Sequence, residues 1–468
     1  MIRKTNIIAI ILSVLCLSLC LDCGTSFAAT KSWPSSKVNT VAKSSIVIDA
    51  DTGTVLYASK EHTKRYPASI TKIMTALLTI EKGNLNDTLT YSKHSLACIK
   101  DGAANIGAVV GEKMTVKDAL YGLMLQSGNE CASALAEYVA GSEAKFAEMM
   151  TQRAKEAGAK NTQFKNANGL HNEKHYVTAY DMAMIMRQAL KYPTFRDIIN
   201  TTAYTIPKNN KRKKRFFAYQ RHKMVYPGTA NYYEGIIGGK TGFTDQARNT
   251  LVTAAKRNGL TIISVVLKSD TFNVYKDTRA LLNYGFKNYK AVNIAQNNPA
   301  FNKKKSIFVS PFYDEDDEDG SLYIDPVAHV VIPKKASFND LTMKASFSNN
   351  ADSFATLTYS YGSHNVGSAQ VLYKPKEEPT TQAKAAAAVN TQPTTAVAQT
   401  KPAQTQAVDQ KQSSSHSKPS VWLKIVKSLA FKIVLAALVV LIIIGILLVK
   451  RKRKIDRIRE EKRNRYRH

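Results

Sequence analysis

Apolar residues alternate with polar ones in two pairs of short segments, one near the start of the chain and one past its middle. Turn-forming residues separate the members of each pair, Asp51-Thr52-Gly53 in the first and Asn258-Gly259 in the second. Alternation with period two is typical of half-buried strands, and Asn-Gly between such runs is a strong hairpin signal. We therefore predict two β-hairpins, one joining residues 45–49 to 54–57 and one joining 251–255 to 260–266.

Between these hairpins, apolar residues recur every three or four positions, which is the period of an amphipathic helix. The pattern predicts helices over residues 70–82, 116–125, 130–139 and 178–190. Gly83 is the expected stop of the first helix, and Thr178 with Asp181 resembles a capping box at the start of the last. Strands at both ends and helices between them predict an α+β domain over residues 31–289, one antiparallel sheet with helices packed on it.

The pattern changes after residue 290. Short alternating runs between 291 and 376 predict a small all-β domain, and residues 377–420, rich in Thr, Gln, Ala and Pro, are typical of a disordered stalk. Residues 429–449 are almost wholly apolar and long enough to span a bilayer as a helix. The basic run that opens the tail 450–468 predicts that the C-terminus is cytoplasmic.

The first 28 residues have the three parts of a secretory signal peptide. These parts are a charged start, an apolar stretch and a small-x-small cleavage site, at Arg3 and Lys4, residues 7–21 and Ser26-Phe27-Ala28. Cleavage would leave two cysteines, Cys98 and Cys131, for which a disulfide is possible outside the cytoplasm. The apolar pattern around Cys131 favours a buried thiol instead.

Three short motifs stand in order along the predicted α+β domain: Ser69-Ile70-Thr71-Lys72, Ser127-Gly128-Asn129 and Lys240-Thr241-Gly242. A serine hydroxyl becomes an effective nucleophile when a base takes its proton. On a helix, Lys72 would share a face with Ser69, because residues three apart are neighbours there. A lysine acts as a base at neutral pH only if burial or a second cation lowers its pKa, and Lys240 is the candidate cation.

These motifs, with the stretches 66–76, 168–170, 175–183 and 239–244, resemble the D-alanyl-D-alanine carboxypeptidases, which are low-molecular-mass penicillin-binding proteins. The resemblance covers roughly residues 43–289 and is thinner from 291 to 376. It implies a β-lactamase/DD-peptidase-like fold for the catalytic domain. One departure is Arg248, which stands where the family has a glycine and bears on fine specificity.

The resemblance also implies a role for each motif residue. Ser69 would be the nucleophile, Lys72 its base and Ser127 the relay of a proton to the leaving group. The substrate would be bound by the residues Asn129, Lys240, Thr241, Gly242 and Phe243. The backbone N–H groups of Ser69 and Phe243 would form the oxyanion hole. No metal or cofactor is expected.

Two other groups of residues invite a metal or general-base interpretation. His171 and His175 lack a carboxylate cluster with metal-ligand spacing, so we assign them structural roles. The acidic run 314–319 lacks the spaced pattern of a calcium-binding loop, which favours a solvated turn.

The implied activity is removal of the terminal D-alanine from peptidoglycan pentapeptides through a Ser69 acyl-enzyme, with β-lactams acylating the same serine. A β-lactamase of the class A type would need a further glutamate for deacylation, and Glu173 lies in the wrong context. A transpeptidase would usually carry a larger N-terminal module. A non-catalytic wall-binding protein would have no need of all three motifs. The preferred third residue of the stem peptide, and a vegetative or a sporulation role, stay open.

The formal net charge is +30, and two basic segments contribute to it. The tail 450–468 is expected to meet anionic lipid headgroups. The run 208–215 is either a solvated loop or a patch that steers the enzyme toward anionic wall polymers. No nucleic-acid-binding motif accompanies these segments, so we do not predict nucleic acid as a partner. The predicted location is the cell membrane, with a single span and the catalytic domain outside the cytoplasm.

Overall fold

The computed structural model describes residues 32–99, 102–298, 320–350 and 353–375. All of them belong to the first of the two compact units into which the chain divides, Met1–Thr380. Within these described ranges, no helix is both long and apolar enough to cross a membrane. The predicted signal peptide, acidic run, stalk, membrane helix and basic tail lie outside the described residues.

The described elements alternate between strands and helices in the first 300 residues and are mostly strands afterwards. The strands are β1 (Ser44–Asp49), β2 (Val55–Ser59), β3 (Thr88–Thr90), β4 (Lys113–Thr115), β5 (Ala203–Ile206), β6 (Phe216–Tyr219), β7 (Ile236–Thr244), β8 (Arg248–Arg257), β9 (Leu260–Ser269), β10 (Tyr289–Asn293), β11 (Gly320–Ile324), β12 (His329–Pro333), β13 (Thr342–Asn350), β14 (Ser353–Tyr361) and β15 (His364–Pro375). The helices are α1 (Lys72–Lys82), α2 (Lys93–Leu96), α3 (Val116–Leu125), α4 (Asn129–Ala140), α5 (Glu143–Glu156), α6 (Ala179–Ala189), α7 (Pro193–Asn200), α8 (Val274–Asn288) and α9 (Ile294–Asn297). Single 3₁₀ turns cover Ala68–Thr71, Lys223–Val225 and Phe338–Asp340.

The centre of the catalytic domain is a five-stranded antiparallel sheet with the order β2-β1-β9-β8-β7. Both predicted hairpins are present in it, as β1 with β2 and β8 with β9. The second turn needs two left-handed residues, and Asn258 (φ 48°) and Gly259 (φ 78°) supply them. The prediction of an α+β domain with one antiparallel sheet is therefore confirmed.

The sheet is buried on both faces. Alternate residues of its inner strands point to opposite sides, so each strand contributes to two apolar clusters. On one side Ile46, Ile263 and Val265 pack with α1, α3, α4 and α6. On the other side Val47 and Ile262 pack with α8. The sheet thus holds β7, which carries Lys240, close to the turn that carries Ser69 and the loop that carries Ser127.

The predicted helices are present with small changes at their ends. The helix predicted over 70–82 begins as a 3₁₀ turn at Ala68, and α1 starts at Lys72. The capping box predicted at Thr178 is half formed. The Thr178 hydroxyl accepts from the backbone N–H of Asp181, but the Asp181 carboxylate accepts from Lys160, Asn161 and Thr162 instead. Hydrogen bonds to residues 160–162 therefore replace the local bond from the Asp181 carboxylate to the Thr178 backbone N–H.

The region after Tyr289 folds as β-structure with its own apolar core. Strands β11, β15, β14 and β13 form a four-stranded sheet in that order, and β10 pairs with β12. The core includes Val330, Leu357 and Tyr359. The predicted strand at 355–359 lies within β14, while a second predicted strand at 306–309 lies outside the described residues.

Candidate functional site

The three sequence motifs meet at one edge of the central sheet. Ser69 lies in the 3₁₀ turn before α1, Ser127 lies in the loop between α3 and α4, and Lys240 lies on β7. Lys72 Nζ is 3.1 Å from Ser69 Oγ, and Lys240 Nζ is 3.1 Å from Ser127 Oγ. Two serine–lysine pairs from distant parts of the sequence therefore share one site.

The backbone is strained at two of these motifs. Ala68, which precedes Ser69, has φ 52°, and Ser127 has φ 62°. Non-glycine residues rarely adopt these left-handed conformations, and they cluster at functional sites. Here the strain turns the Ser69 and Ser127 side chains toward the lysines instead of continuing the neighbouring helices.

β7 approaches the nucleophile closely at Gly242. A Cβ added there would lie 2.8 Å from the Ser69 backbone nitrogen and 2.5 Å from Thr250 Oγ1, which is too short for either contact. Thr250 Oγ1 in turn donates to the carbonyl of Pro67, at 2.8 Å, and so ties β8 to the turn that carries Ser69. A glycine at 242 is therefore required by packing.

Lys72 is fully buried and has three partners. Its Nζ is 2.7 Å from Asn129 Oδ1, 2.6 Å from the Asn168 carbonyl and 3.1 Å from Ser69 Oγ. Burial lowers the pKa of Lys72 to about 7, against the opposing effect of the nearby Glu130 carboxylate. A neutral amine has two N–H donors and one lone pair, which match two carbonyl acceptors and one serine hydroxyl.

Lys240 is also buried, and it donates to Ser127 Oγ and to the Thr241 carbonyl. Burial holds the pKa of Lys240 well below its usual value, and the charges of Lys72 and Arg221 lower it further. For Lys72 too, burial is the main cause, and Arg221 is a cation that lowers its pKa further. That Lys240 also helps to keep Lys72 neutral stays a prediction, since the charges of the two lysines act on each other.

Two residues that the sequence reasoning missed complete the site. Arg221 lines the active-site cleft just after β6, and burial lowers the pKa of its guanidinium. The Asn168 carbonyl fixes Lys72 from a loop between α5 and α6. The stretch 168–170 carried part of the family resemblance. Its contact with Lys72 could not be predicted from residue type, because every residue has a backbone carbonyl. Arg221 stands in no motif.

Both histidines singled out in the sequence lie near the site. His175 is buried, with Nε2 3.0 Å from Thr71 Oγ1 and Nδ1 accepting from the backbone N–H of Lys165. Burial and the charge of His171 lower the pKa of His175 to about 3, so it stays neutral. His175 holds the turn beside Ser69 in place, which confirms its structural role. His171 lines the cleft.

The cysteines remain thiols. Cys98 and Cys131 are both free, and Cys131 is fully buried with Sγ 3.3 Å from the Tyr91 hydroxyl. Burial raises the pKa of the Cys131 thiol well above its usual range. The preference for a buried thiol at Cys131 is confirmed.

The site opens into a cleft of about 880 Å³. Its floor contains Ser69, Ser127 and Thr241, and its rim contains Phe243 and Phe272, whose side chains are half or more exposed. Arg248, where the family has glycine, is exposed beside this cleft and has φ 54°. The arginine therefore occupies a backbone conformation that a glycine adopts without strain.

Comparison with known proteins gives a consistent family assignment. The profile described as D-alanyl-D-alanine carboxypeptidase matches residues 29–271. The D-alanyl-D-alanine carboxypeptidase DacF of Bacillus subtilis is 35% identical over 273 residues, which cover 56% of this chain and 67% of that protein. The D-alanyl-D-alanine carboxypeptidase of Streptomyces sp. strain K15 is 34% identical over 271 residues, covering 56% of this chain and 92% of that protein.

Solved structures share the fold. Penicillin-binding protein 6B of Escherichia coli superposes with a TM-score of 0.54 over 74% of this chain and 97% of that chain, at 23% identity. A mutant of the Streptomyces K15 DD-transpeptidase superposes with a TM-score of 0.50 over 54% of this chain and 100% of that chain, at 32% identity.

Proposed function

The chain belongs to the D-alanyl-D-alanine carboxypeptidase family of serine peptidases, and we propose that Ser69 is the nucleophile with which it shortens peptidoglycan stem peptides. The observation that carries the proposal is the contact between Ser69 Oγ and the buried Lys72 Nζ, at 3.1 Å. With a pKa of about 7, Lys72 is neutral often enough at physiological pH to accept the serine proton.

Acylation begins when Ser69 Oγ attacks the carbonyl carbon of the penultimate D-alanine while its proton moves to Lys72 Nζ. The developing oxyanion is stabilised by the backbone N–H groups of Ser69 and Phe243. Asn129 keeps Lys72 in place through its 2.7 Å hydrogen bond. A proton then passes through Ser127 to the nitrogen of the terminal D-alanine, which leaves as the free amino acid.

The terminal carboxylate of the substrate meets a group of cations and hydroxyls. Lys240 and Thr241 are neighbours on β7, Arg221 follows β6 and lines the same cleft as Thr241, and the charge of Arg221 acts on Lys240. A carboxylate bound there would pair with Lys240 and Arg221 and accept from the Thr241 hydroxyl. Binding a negative charge would also raise the lowered pKa of Lys240 and keep that lysine protonated.

Deacylation returns the enzyme to its starting state. Water takes the place left by D-alanine, gives its proton to neutral Lys72 and attacks the ester carbonyl in the same oxyanion hole. The bond between the acyl carbon and Ser69 Oγ then breaks, Lys72 returns the proton to Ser69 Oγ, and the shortened peptide leaves as its carboxylate. A β-lactam would acylate Ser69 by the same first step, because its strained amide resembles the D-Ala-D-Ala bond. Its opened ring stays attached and hinders the approach of water, so the ester hydrolyses slowly.

A direct test is labelling by a fluorescent penicillin together with release of D-alanine from a pentapeptide. Labelling that is lost in Ser69→Ala, with D-alanine released only by the unmodified chain, would support the proposal. Ser368→Ala, which alters an exposed serine of β15 in the β-domain, is the matched control and should keep both activities. Rapid penicillin turnover without release of D-alanine would contradict it and point to a β-lactamase.

DD-transpeptidation is a second candidate, in which an amine of a neighbouring stem peptide replaces water in the second step. The observation that favours it is the Streptomyces K15 protein, whose name in one comparison is a carboxypeptidase and in another a DD-transpeptidase. The match covers 92% of that relative, so a protein named a DD-transpeptidase does not need a large N-terminal module besides the part that matches this chain. Adding D-amino acid or glycine acceptors to the pentapeptide assay separates the two, since a transpeptidase forms the exchanged peptide faster than the hydrolysed one.

We further propose that the catalytic domain acts outside the cytoplasm, anchored to the cell membrane. The support is in the sequence: the signal-like residues 1–28, the apolar segment 429–449 and the basic tail that follows it. Protease added to intact cells should remove the catalytic domain and leave a short membrane-bound fragment. A chain protected until the membrane is opened would contradict this topology.

A further inference from the structure

A second group of chemically active side chains lies away from the serine–lysine site. Asp49 ends β1, Asp51 lies in the turn to β2, and His329 begins β12 of the β-domain. His329 Nε2 is 3.6 Å from Asp49 Oδ2 and 3.7 Å from Asp51 Oδ2. One ligand atom from each residue lies within 4.8 Å of the other two. The group therefore lies where the catalytic sheet meets the β-domain.

Two polar atoms of this group have no hydrogen-bond partner within the described ranges. Asp49 is fully buried, and its Oδ2 accepts from the backbone N–H and the hydroxyl of Thr52, both at 2.7 Å. Among the residues that the structure describes, neither Asp49 Oδ1 nor His329 Nε2 has a hydrogen-bond partner. The distance of 3.6 Å between the histidine and the carboxylate exceeds that of a hydrogen bond. Asp49 and His329 pair by charge, but a buried carboxylate oxygen normally also has a hydrogen bond or a metal ion, and Asp49 Oδ1 has no hydrogen bond.

The histidine is oriented as a metal ligand would be. His329 is hydrogen-bonded to the backbone of Val327, and because Nε2 has no such bond, the contact is made by Nδ1. This contact turns Nε2 toward the two carboxylates, which raise the pKa of the imidazole, Asp49 most, so a bound cation would take the place of the Nε2 proton. Histidines that bind metals usually have their second nitrogen fixed in this way.

The separations suit a small divalent cation. Two ligands held about 2.1 Å from a tetrahedral zinc ion lie roughly 3.4 Å apart, and the histidine–carboxylate distances here are 3.6 and 3.7 Å. The Asp51 side chain is 57% exposed, so water can complete the coordination. We propose that Asp49, Asp51 and His329 bind one divalent cation that accepts mixed oxygen and nitrogen ligands, Mn²⁺ or Zn²⁺.

A cation at this position would fasten the β1–β2 turn to the β-domain. The turn already touches that domain, because the Thr54 hydroxyl donates to the Asn365 carbonyl at 3.3 Å. Arg187 donates to the carbonyls of Ala50 and Asp51 and leaves the carboxylates free. The charges of Arg187 and Lys256 near Asp51 oppose cation binding, so we expect moderate affinity. The ion's role is structural and separate from the chemistry at Ser69.

The test is a calorimetric titration of the full-length chain with Mn²⁺ after removal of bound metal with a chelator, followed by thermal unfolding. Mn²⁺ is used because it prefers carboxylate and imidazole ligands to the thiols of this chain. The variants are Asp51→Asn and His329→Gln, which leave the fully buried Asp49 in place. The control is His62→Gln, which alters an exposed histidine 3.7 Å from the Glu61 carboxylate.

We expect the unmodified chain and His62→Gln each to bind one equivalent of Mn²⁺. Asp51→Asn and His329→Gln should bind none. At a free Mn²⁺ concentration about 100 times Kd, the unfolding equilibrium constant should fall roughly 100-fold in the first two proteins only. Penicillin labelling of Ser69 in all four proteins checks that the variants are folded. Absence of binding to the unmodified chain, or equal binding by His329→Gln, would overturn the proposal and leave a protonated histidine between two carboxylates.

Discussion

The lowered pKa of Lys72 gives a quantitative test of its role as the base. Its pKa falls from 10.5 to about 7 because the ammonium form loses its hydration on burial. A change of about 3.5 in pKa corresponds to about 5 kcal/mol against the charged form. At pH 7 about half of the Lys72 side chains are then neutral, against roughly one in 3,000 for a lysine in water. Acylation should therefore increase with pH and level off above an apparent pKa near 7.

The perturbation that tests this is Asn129→Asp, because Asn129 Oδ1 lies 2.7 Å from Lys72 Nζ. The substitution keeps the side-chain length and adds a negative charge. A carboxylate within about 4–6 Å of a lysine raises the lysine pKa by about 1–3. The rise in acylation rate should therefore move from near pH 7 to about pH 8–10, with a rate at pH 7 lower by roughly 5- to 500-fold.

The assay is single-turnover acylation by a fluorescent penicillin, measured from acidic to strongly alkaline pH. Asn129→Ala is the control, since it removes the same hydrogen bond without adding charge. It should lower the rate by a similar factor at every pH and leave the apparent pKa near 7. If Asn129→Asp also lowers the rate uniformly, with no recovery at high pH, then a neutral Lys72 is not what limits acylation.

Three further substitutions test other parts of the site. Arg221→Gln should raise KM roughly tenfold for peptides with a free terminal carboxylate, because a charge-assisted hydrogen bond is lost, and should have little effect on amidated peptides. Lys223→Gln, in the same cleft, is the control. Equal effects of Arg221→Gln on the free and the amidated peptide would contradict a role for Arg221 in binding the carboxylate. Gly242→Ala should lower acylation at least about 100-fold without loss of folding, because the new Cβ would lie 2.8 Å from the Ser69 nitrogen and disturb the oxyanion hole; a normal rate would show that β7 can move away. Arg248→Gly should raise the free energy of unfolding by about 0.5 kcal/mol, because glycine adopts φ 54° without steric cost but loses more conformational entropy on folding, which offsets part of the gain. A lower Tm would mean that the arginine side chain makes a stabilising contact.

Local patterns in the sequence were enough for most of the regular structure. The hairpin turn at Asn258-Gly259 and the helix Val116–Leu125 were predicted correctly, because each depends on residues within a few positions of one another. The helix predicted over 70–82 is present, but α1 starts at Lys72, two residues after the predicted start, and a 3₁₀ turn precedes it. Nothing local distinguishes the 3₁₀ turn at Ser69 from a first helical turn, and its left-handed residue, Ala68, lies in a turn that Thr250 of β8 fixes from a distance.

By itself the sequence determined the family, the α+β class and the residue types that the chemistry requires, because these follow from short motifs and periodicity. Only the tertiary structure decided how the site works. Lys72 lies next to the carbonyl of Asn168, 96 positions away, and its pKa depends on burial by elements that no motif includes. Packing likewise brings Arg221 to the cleft and, at a separate place, His329 to Asp49. Electrostatic effects depend on distance and burial in space, and a linear sequence contains neither until the sheet and helices have packed.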